Sequence, residues 1–209
     1  MAAKKNEPQI IELKPIEQKT ICIELEGVTP LIVHAWSEKA KRQMLNKQMK
    51  KAAAKKEAKN PEEDYEQSLY KFKDGSGYGF PAPGFKAAIV GACRLFDGLP
   101  MTQAKLMIFI EADGEGTRQE QLVRIHGEPE IREDMVRLEK GVADIRYRGM
   151  FRDWSADLTI TFNTSNISPE QLVNLVDAAG LGGIGEWRPS APKSSTGDFG
   201  RFKVKGIKA

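Results

Sequence analysis

A strand pattern that runs into a capped helix limits the folds open to this chain more than any other feature. Leu158, Ile160 and Phe162 alternate with more polar residues, the two-residue period of a half-buried strand. Ser168 and Pro169 then supply an N-cap and a proline at the first helical position, and an apolar packing face follows. We expect this helix to end at residue 180. The pattern therefore predicts a sheet with helices packed on it.

Similar signals occur in the first half of the chain. Alternating apolar residues at 20–27 predict the first strand, and prolines before residues 85–96 mark a helix start. The apolar run at 106–110 predicts a central strand covered on both faces, although periodicity does not separate it from a buried helical turn. Residues 199–204 predict a last strand. The core-facing stripe of the first helix comprises Phe85, Ile89, Cys93 and Phe96.

The resulting order is strand, helix, strand, inserted hairpin, strand, helix, strand. It is compatible with an α+β sandwich of the ferredoxin-like (RRM-like) type, with a sheet on one side and two helices on the other. We expect a flexible N-terminal arm over residues 1–18 and a single domain over residues 19–209. That domain carries a basic helical insertion at about 37–79 and a β-hairpin insertion at about 114–141.

Composition excludes several classes of protein. The 209 residues suit one domain, and the formal net charge of +3 is too small to demonstrate a polyanionic partner. Cys22 and Cys93 lie far apart and lack zinc-site spacing, so we expect two buried, reduced thiols. The sequence shows neither an apolar run long enough to cross a bilayer nor a signal peptide. We expect a cytoplasmic protein without a membrane partner.

Residues 37–59 carry the strongest charge asymmetry, with nine basic and two acidic residues. They are rich in helix formers and poor in large apolar residues, so we expect a helix that projects from the domain. The basic helix, from Lys39 to Lys59, would bind phosphates or a neighbouring protomer. The alternative is a solvated helix balanced by the acidic residues at 62–66.

The segment at 181–203 combines glycines with positive charge. Gly182, Gly183 and Gly185 permit positive φ values and close backbone approach, while Arg188 and Lys193 supply charge for an anion. Bare backbone amides after residue 180 would form an anion-binding nest. The alternative is a helix C-cap followed by a long flexible loop.

Single-stranded nucleic acids are bound by cations that follow phosphates and by flat groups on which bases stack. Both residue types occur together at 146–154, at 187–188 and at 34–36. Core packing of Tyr147 and Trp154, and salt bridges to Asp144 or Asp153, are the alternatives. The candidate contacts are His34, Trp36, Lys86, Arg94, Arg146, Tyr147, Arg148, Arg152, Gly182, Gly183, Gly185, Trp187, Arg188 and Lys193.

Three segments, in this order, resemble the RAMP superfamily, the RNA-binding ferredoxin-like proteins of CRISPR systems. Residues 21–31 resemble the first strand and its "TPL" exit, and residues 80–88 resemble the "IP-x-x-x-x-K-G" helix entry, with Ala87 after Lys86. Residues 182–185 and 197–201 resemble the C-terminal "GGxGxxxxxGxGR" loop, here stretched by prolines and serines. The resemblance is strongest to the backbone subunits of CRISPR effector complexes.

The resemblance implies a single-stranded RNA or DNA ligand, with RNA favoured over DNA. It also implies side-by-side assembly as a homo-oligomer along the strand. Other effector-complex subunits are implied as partners, and a phage or plasmid protein of ssDNA binding or recombination is an alternative. A further alternative is a structural or inhibitory protein that mimics a backbone subunit.

Some relatives cut RNA with a histidine, and His34 occupies a comparable early segment. The sequence holds one other histidine, His126, and its acids lack metal-ligand spacing. We therefore expect a non-enzymatic protein without catalytic residues, metal or cofactor.

Overall fold

The computed structural model describes residues 15–51, 59–137, 143–192 and 195–208. The strands are β1 (Gln18–Gly27), β2 (Leu31–Val33), β3 (Gly79–Pro81), β4 (Ile108–Ile110), β5 (Gly114–Glu115), β6 (Gln121–Arg124), β7 (Pro129–Arg137), β8 (Ala143–Phe151), β9 (Ser155–Asn163) and β10 (Phe202–Lys208). The helices are α1 (Glu38–Gln48), α2 (Pro61–Ser68), α3 (Ala82–Ala92), α4 (Met101–Met107) and α5 (Pro169–Gly182), and a short 3₁₀ turn (Cys93–Leu95) follows α3.

A ferredoxin-like unit forms the centre of the molecule. Its elements in chain order are β1, α3, β4, β9, α5 and β10. The four strands make an antiparallel sheet in the order β10-β1-β9-β4, and α3 packs against α5. The predicted ferredoxin-like α+β fold is therefore confirmed.

The core lies between this sheet and the two helices. Alternate residues of β9, including Leu158 and Ile160, are fully buried, and they face Phe85 and Ile89 of α3 in the same apolar cluster. Each large apolar side chain buried in this way contributes about 1.5–3 kcal/mol to stability. Trp154 is also buried, and its indole N–H donates to the Thr29 carbonyl at 2.9 Å. Core packing is therefore the role of Trp154.

Two smaller sheets flank the ferredoxin-like unit. One has the order β2-β8-β7 and the other the order β3-β6-β5. The predicted hairpin segment, 114–141, contains the short β5/β6 hairpin, whereas β7 pairs with β8, beyond the end of that segment. We call the β7/β8 pair the long hairpin. The division into an arm, one domain and two insertions stays a prediction.

The basic helix is shorter than the sequence indicated. Helix α1 ends at Gln48, Met49 caps it, and Lys50 has a φ of 53°, which no continuing helix adopts. None of the residues of α1 is buried, so it lacks the apolar contacts that would extend it. Residues 52–58 of the predicted helix lie outside the described residues.

The central strand predicted at 106–110 is wrong. Leu106 belongs to α4 and is 79% exposed, and β4 pairs with β9 at an edge of the sheet. An apolar run shows that a segment is hydrophobic but carries no information about its place in the sheet. Phe96 also leaves the predicted core stripe, because α3 ends at Ala92 and the backbone of Phe96 is extended.

Two further expectations need correction. Cys93 is buried as expected, but Cys22 is only partly buried because it lies on the uncovered face of the sheet. Helix α5 continues through Gly180 to Gly182, and Gly183 caps it with a φ of 67°. Gly180 is needed within the helix, since a Cβ there would lie 1.8 Å from the Phe202 carbonyl oxygen. Ser168 is the N-cap as predicted, and together with Gln171 it forms a capping box.

Candidate nucleic-acid interface

We call residues 183–201, between α5 and β10, the glycine-rich loop. It is fixed by the segment that follows β1. The amide of Glu186 donates to the Ile32 carbonyl at 2.9 Å, and the amide of Gly200 donates to the Pro30 carbonyl at 2.8 Å. Within the loop, the amide of Ile184 donates to the Gly200 carbonyl at 2.9 Å. The segment around the "TPL" exit and the C-terminal glycine-rich loop thus form one hydrogen-bonded unit.

This arrangement explains why residue 185 is a glycine and changes one expectation. Gly185 has a φ of 79°, and a Cβ there would lie 2.4 Å from the Ile32 carbonyl oxygen. The amides of Gly183, Ile184 and Glu186 all donate to protein carbonyls, so they are not the bare amides of an anion nest. Gly185 serves close packing of protein on protein, and these hydrogen bonds hold the start of the loop in place.

A groove of about 690 Å³ lies between α3, the end of α5 and the glycine-rich loop. Its floor on α3 consists of small residues, namely Gly84, Ala87, Ala88 and Gly91. A Cβ at Gly91 would meet no heavy atom within 4 Å. Because these residues project so little, a polymer backbone can approach the helix closely. We call this feature the small-residue groove.

Three candidate residues with a polar or charged side chain lie along this groove: His34, Arg94 and Arg188. Arg94 is exposed, while Arg188 is held in place because its Nη1 donates to the Gly185 carbonyl at 2.7 Å. Glu186 also lines the groove and contributes a negative charge. Lys86 lies elsewhere, with its Nζ 4.7 Å from the ring centre of Phe109 at the sheet edge.

A second, smaller cleft of about 240 Å³ lies between α1, α2 and β8. Arg146 and Tyr147 line it, and Arg146 Nε lies 3.9 Å from an oxygen of Asp144, the salt-bridge alternative considered above. Desolvation, followed by the nearby Glu133 carboxylate, raises the pKa of Tyr147. His34 lines both the cleft and the small-residue groove, and so lies where they meet.

Arg148 does not lie beside Arg146 at the surface. Both residues are on one face of β8, but the side chain of Arg148 is only 2% exposed against 37% for Arg146. Arg148 Nη1 lies 3.5 Å from Asp134 Oδ2, and its guanidinium carbon lies 5.4 Å from the ring centre of Trp187. In this conformation Arg148 is turned away from any phosphate in solvent.

Other candidates lie at the surface or outside the described residues. Trp36 is 52% exposed, with Lys41 Nζ 5.7 Å from its ring centre. Arg152 is exposed directly after β8 and pairs with Glu130 of β7. Gly182 lies in the groove, close to Ser190. Lys193 lies outside the described residues.

Sequence reasoning missed Arg132, Asp134 and Phe199. Arg132 Nε pairs with Asp134 Oδ1 at 2.8 Å, and its guanidinium carbon lies 4.8 Å from the ring centre of Phe199. The alternation of Arg132 and Asp134 in β7 was a signal that could have placed both on one face. The contact of Arg132 with Trp187 and Phe199 could not be predicted, because these residues are far from Arg132 in the sequence.

The uncovered face of the ferredoxin sheet is a less suitable surface for a nucleic acid. It presents Glu24, Glu26 and Asp157, which pair with Lys203 and Lys208 across neighbouring strands. His126 Nε2 also lies 3.4 Å from Asp157. These carboxylates would repel phosphates, and the lysines are already paired.

Titration of His34 provides a direct test of its surroundings. Desolvation, followed by nearby Arg148, lowers the pKa of His34 below 6.5, although solvent still reaches the residue. Because the unfolded state then binds the proton more tightly, the contribution of His34 to stability is full above pH 6.5 and falls as the pH drops through the folded pKa. We expect an NMR titration midpoint below 6.5 for His34. A midpoint at or above that value would contradict this placement.

The described part of the chain shows neither a cluster of metal ligands nor a membrane-spanning helix. Within it, three or more His, Cys, Asp or Glu residues nowhere come together as metal ligands would. Its helices are all too short or too polar to span a membrane.

Comparisons with known proteins rest on structure. No family model and no curated protein matches the sequence. The chain is similar to a chain of the Type III-B Cmr-beta bound to cognate target RNA, with a TM-score of 0.50 and 11% identity over 91% of this chain. It spans 60% of the length of that chain. It is also similar to Cmr6 from Pyrococcus furiosus, with a TM-score of 0.40, 9% identity, and coverage of 91% of this chain and 100% of that one.

At such identities the likeness concerns the fold alone. The likeness to the Cmr-beta chain agrees with the ferredoxin-like α+β fold that the sequence predicted.

Proposed function

We propose that this chain binds single-stranded RNA along the small-residue groove, as an RNA-binding subunit of a CRISPR-type effector complex. The observation that carries the proposal is the groove itself. It has a floor of glycine and alanine, with Arg94 and Arg188 on its walls, in a chain with a RAMP-type fold. A neutral or acidic groove of this size would not suit a polyanion.

The proposed binding is independent of sequence. Arg94 and Arg188 would contact phosphates, which are the same at every nucleotide. Trp36 and Tyr147, near the second cleft, would stack on bases, since every base has a π-face. Because His34 joins the groove to this cleft, one strand could follow both. Lys86, Arg146 and Arg152 lie outside the small-residue groove and would add positive charge to the surrounding surface.

Assembly along the strand is part of the proposal and rests on the resemblance to backbone subunits. None of the residues of α1 is buried, so this helix presents its basic residues at the surface. They would widen the positive surface or contact the next protomer.

Fluorescence anisotropy on matched RNA and DNA strands over a salt series tests the proposal. We expect tight, salt-sensitive binding to RNA and, by light scattering, complexes in multiples of the monomer. Preference for DNA would favour the phage or recombination alternative. A folded protein that binds neither strand would overturn the proposal and favour a protein partner.

Cleavage of the RNA is the second candidate function. His34 lies in the groove, and its lowered pKa keeps the imidazole neutral at pH 7, as a general base requires. The other histidine, His126, lies on the uncovered sheet face beside Asp157, away from the groove. We therefore expect RNA recovered from the binding samples to be intact. Fragments that disappear in His34→Ala would support an endoribonuclease instead.

The salt dependence of binding separates phosphate contacts from other contributions. Replacing Arg94 or Arg188 by glutamine should lower the slope of log Kd against log salt by about 0.7 each, the value for one phosphate contact on a single strand. Lys73→Gln is the matched control, because Lys73 is exposed near Glu115 and does not line the groove. Unchanged slopes for both arginine variants would place the strand elsewhere.

A further inference from the structure

Two arginines on the long hairpin lie directly opposite each other, an unfavourable arrangement of like charges. Arg132 of β7 and Arg148 of β8 are direct cross-strand partners. Like charges placed opposite each other in a sheet are destabilising unless something compensates them. Asp134 provides part of the compensation, with one oxygen 2.8 Å from Arg132 Nε and the other 3.5 Å from Arg148 Nη1.

The rest of the compensation comes from the glycine-rich loop. The guanidinium carbons of Arg132 and Arg148 each lie 5.4 Å from the ring centre of Trp187. Phe199, from the far end of the same loop, lies 6.1 Å from Trp187 and 4.8 Å from the Arg132 guanidinium carbon. Contact of a guanidinium with an aromatic face is a favourable cation–π interaction.

Arg148 depends on this ring more than Arg132 does. Among the buried side-chain atoms that the structure describes, Arg148 Nε has no hydrogen-bond partner. A buried charge with an incomplete set of hydrogen bonds is costly, so the aromatic face and the nearby carboxylates must hold it. Burial lowers the pKa of Arg148, and Glu186 and then Asp134 oppose that shift. Arginine remains charged under these conditions.

The ring in turn sits beside the wall of the groove. Trp187 has a φ of 54°, a left-handed conformation that a tryptophan rarely adopts without support from its surroundings. Its neighbours Glu186 and Arg188 both line the small-residue groove. Movement of the Trp187 ring would therefore displace the side chain of Arg188, which is proposed to contact a phosphate.

From these contacts we infer that Arg148 is a positioning residue for the groove and not a phosphate ligand. It holds Trp187 against the long hairpin and thereby fixes Arg188 at the groove. This inference rests on the proposed function for its effect on RNA binding, but the hold on Trp187 is a property of the free protein. The long hairpin and the groove wall act as one rigid unit.

Arg148→Gln tests the inference, with Arg146→Gln as its matched control on the same strand face. We expect Arg148→Gln to weaken RNA binding by about tenfold through lost preorganisation, with an unchanged salt slope. Arg146→Gln should lower the slope by about 0.7 instead. A lowered slope for Arg148→Gln would overturn the inference, because it would show a phosphate contact.

Acrylamide quenching of tryptophan fluorescence provides a readout that does not need RNA. In a Trp36→Phe background, the remaining emission comes from Trp187 and from Trp154, which is only 5% exposed. Arg148→Gln should increase quenching, whereas Arg146→Gln should not. Equal quenching in the two variants would overturn the inference even if wild-type protein bound no RNA, so the two proposals fail separately.

A second variant covers the case in which Arg148→Gln does not fold. Trp187→Leu removes the ring but leaves the pair of Arg148 with Asp134. It should reproduce the loss of affinity at an unchanged slope. Wild-type affinity in Trp187→Leu would show that the ring does not position the groove.

Discussion

Replacing Gly91 by leucine is expected to weaken RNA binding by at least about 100-fold, equivalent to about 2.7 kcal/mol, while the protein stays folded. The physical reason is that a Cβ at Gly91 meets open space, so the longer side chain would stand in the small-residue groove without disturbing the core. Leucine is also a better helix former than glycine. Anisotropy with labelled RNA and a thermal melt on the same samples measure both effects.

Gly91→Ala is the matched control for this substitution. One methyl group leaves most of the groove open, so affinity should stay within about threefold of wild type, a difference below 1 kcal/mol. Stability should rise by about 0.5–1 kcal/mol because alanine restricts the unfolded chain. If folded Gly91→Leu bound RNA as well as wild type, the strand would not run through the groove.

Gly180→Ala should be strongly destabilising, with a loss of more than about 4 kcal/mol in the free energy of unfolding. The added Cβ would lie 1.8 Å from the carbonyl oxygen of Phe202, and neither α5 nor β10 can shift without breaking their packing. Urea denaturation with an unchanged m value measures the loss.

Gly182→Ala, two residues later in α5, separates this clash from a general effect of glycine in the helix. Its Cβ would lie 3.5 Å from the Ser190 Cβ, an ordinary contact, and the change in stability should stay within about 1 kcal/mol. Equal losses in the two variants would show that the close approach of α5 to β10 is not what requires glycine at position 180.

Local signals in the sequence were sufficient for much of the fold. The alternation in β9, the N-cap at Ser168 and the alternating residues of β1 each act over a few neighbouring residues, and each prediction is confirmed. The position of β4 at the sheet edge could not be predicted, because strand order depends on contacts between distant segments. The close approach that requires Gly180 is likewise set by β10.

The candidate site was harder to predict for the same reason. The two-residue period of a strand is enough to put Arg146 and Arg148 on one face, but it does not show that burial increases along β8 from its exposed start to its buried end. The small residues of α3 did leave a signal. Gly84, Ala87, Ala88 and Gly91 follow helical spacing, so they could have been assigned to one face before the groove was seen.

The way the glycine-rich loop is closed has an evolutionary consequence. Hydrogen bonds from the Phe199 amide to the Trp187 carbonyl, at 3.2 Å, and from the Ile184 amide to the Gly200 carbonyl, at 2.9 Å, join the two flanks. Once both ends are tied, each doubling of the chain between them costs only about 0.6 kcal/mol of closure entropy. Insertions between residues 192 and 197, beyond the residues that line the groove, are therefore expected to cost little folding free energy. Natural variants can differ in length there, while Arg188 and the other residues of the groove wall keep their places.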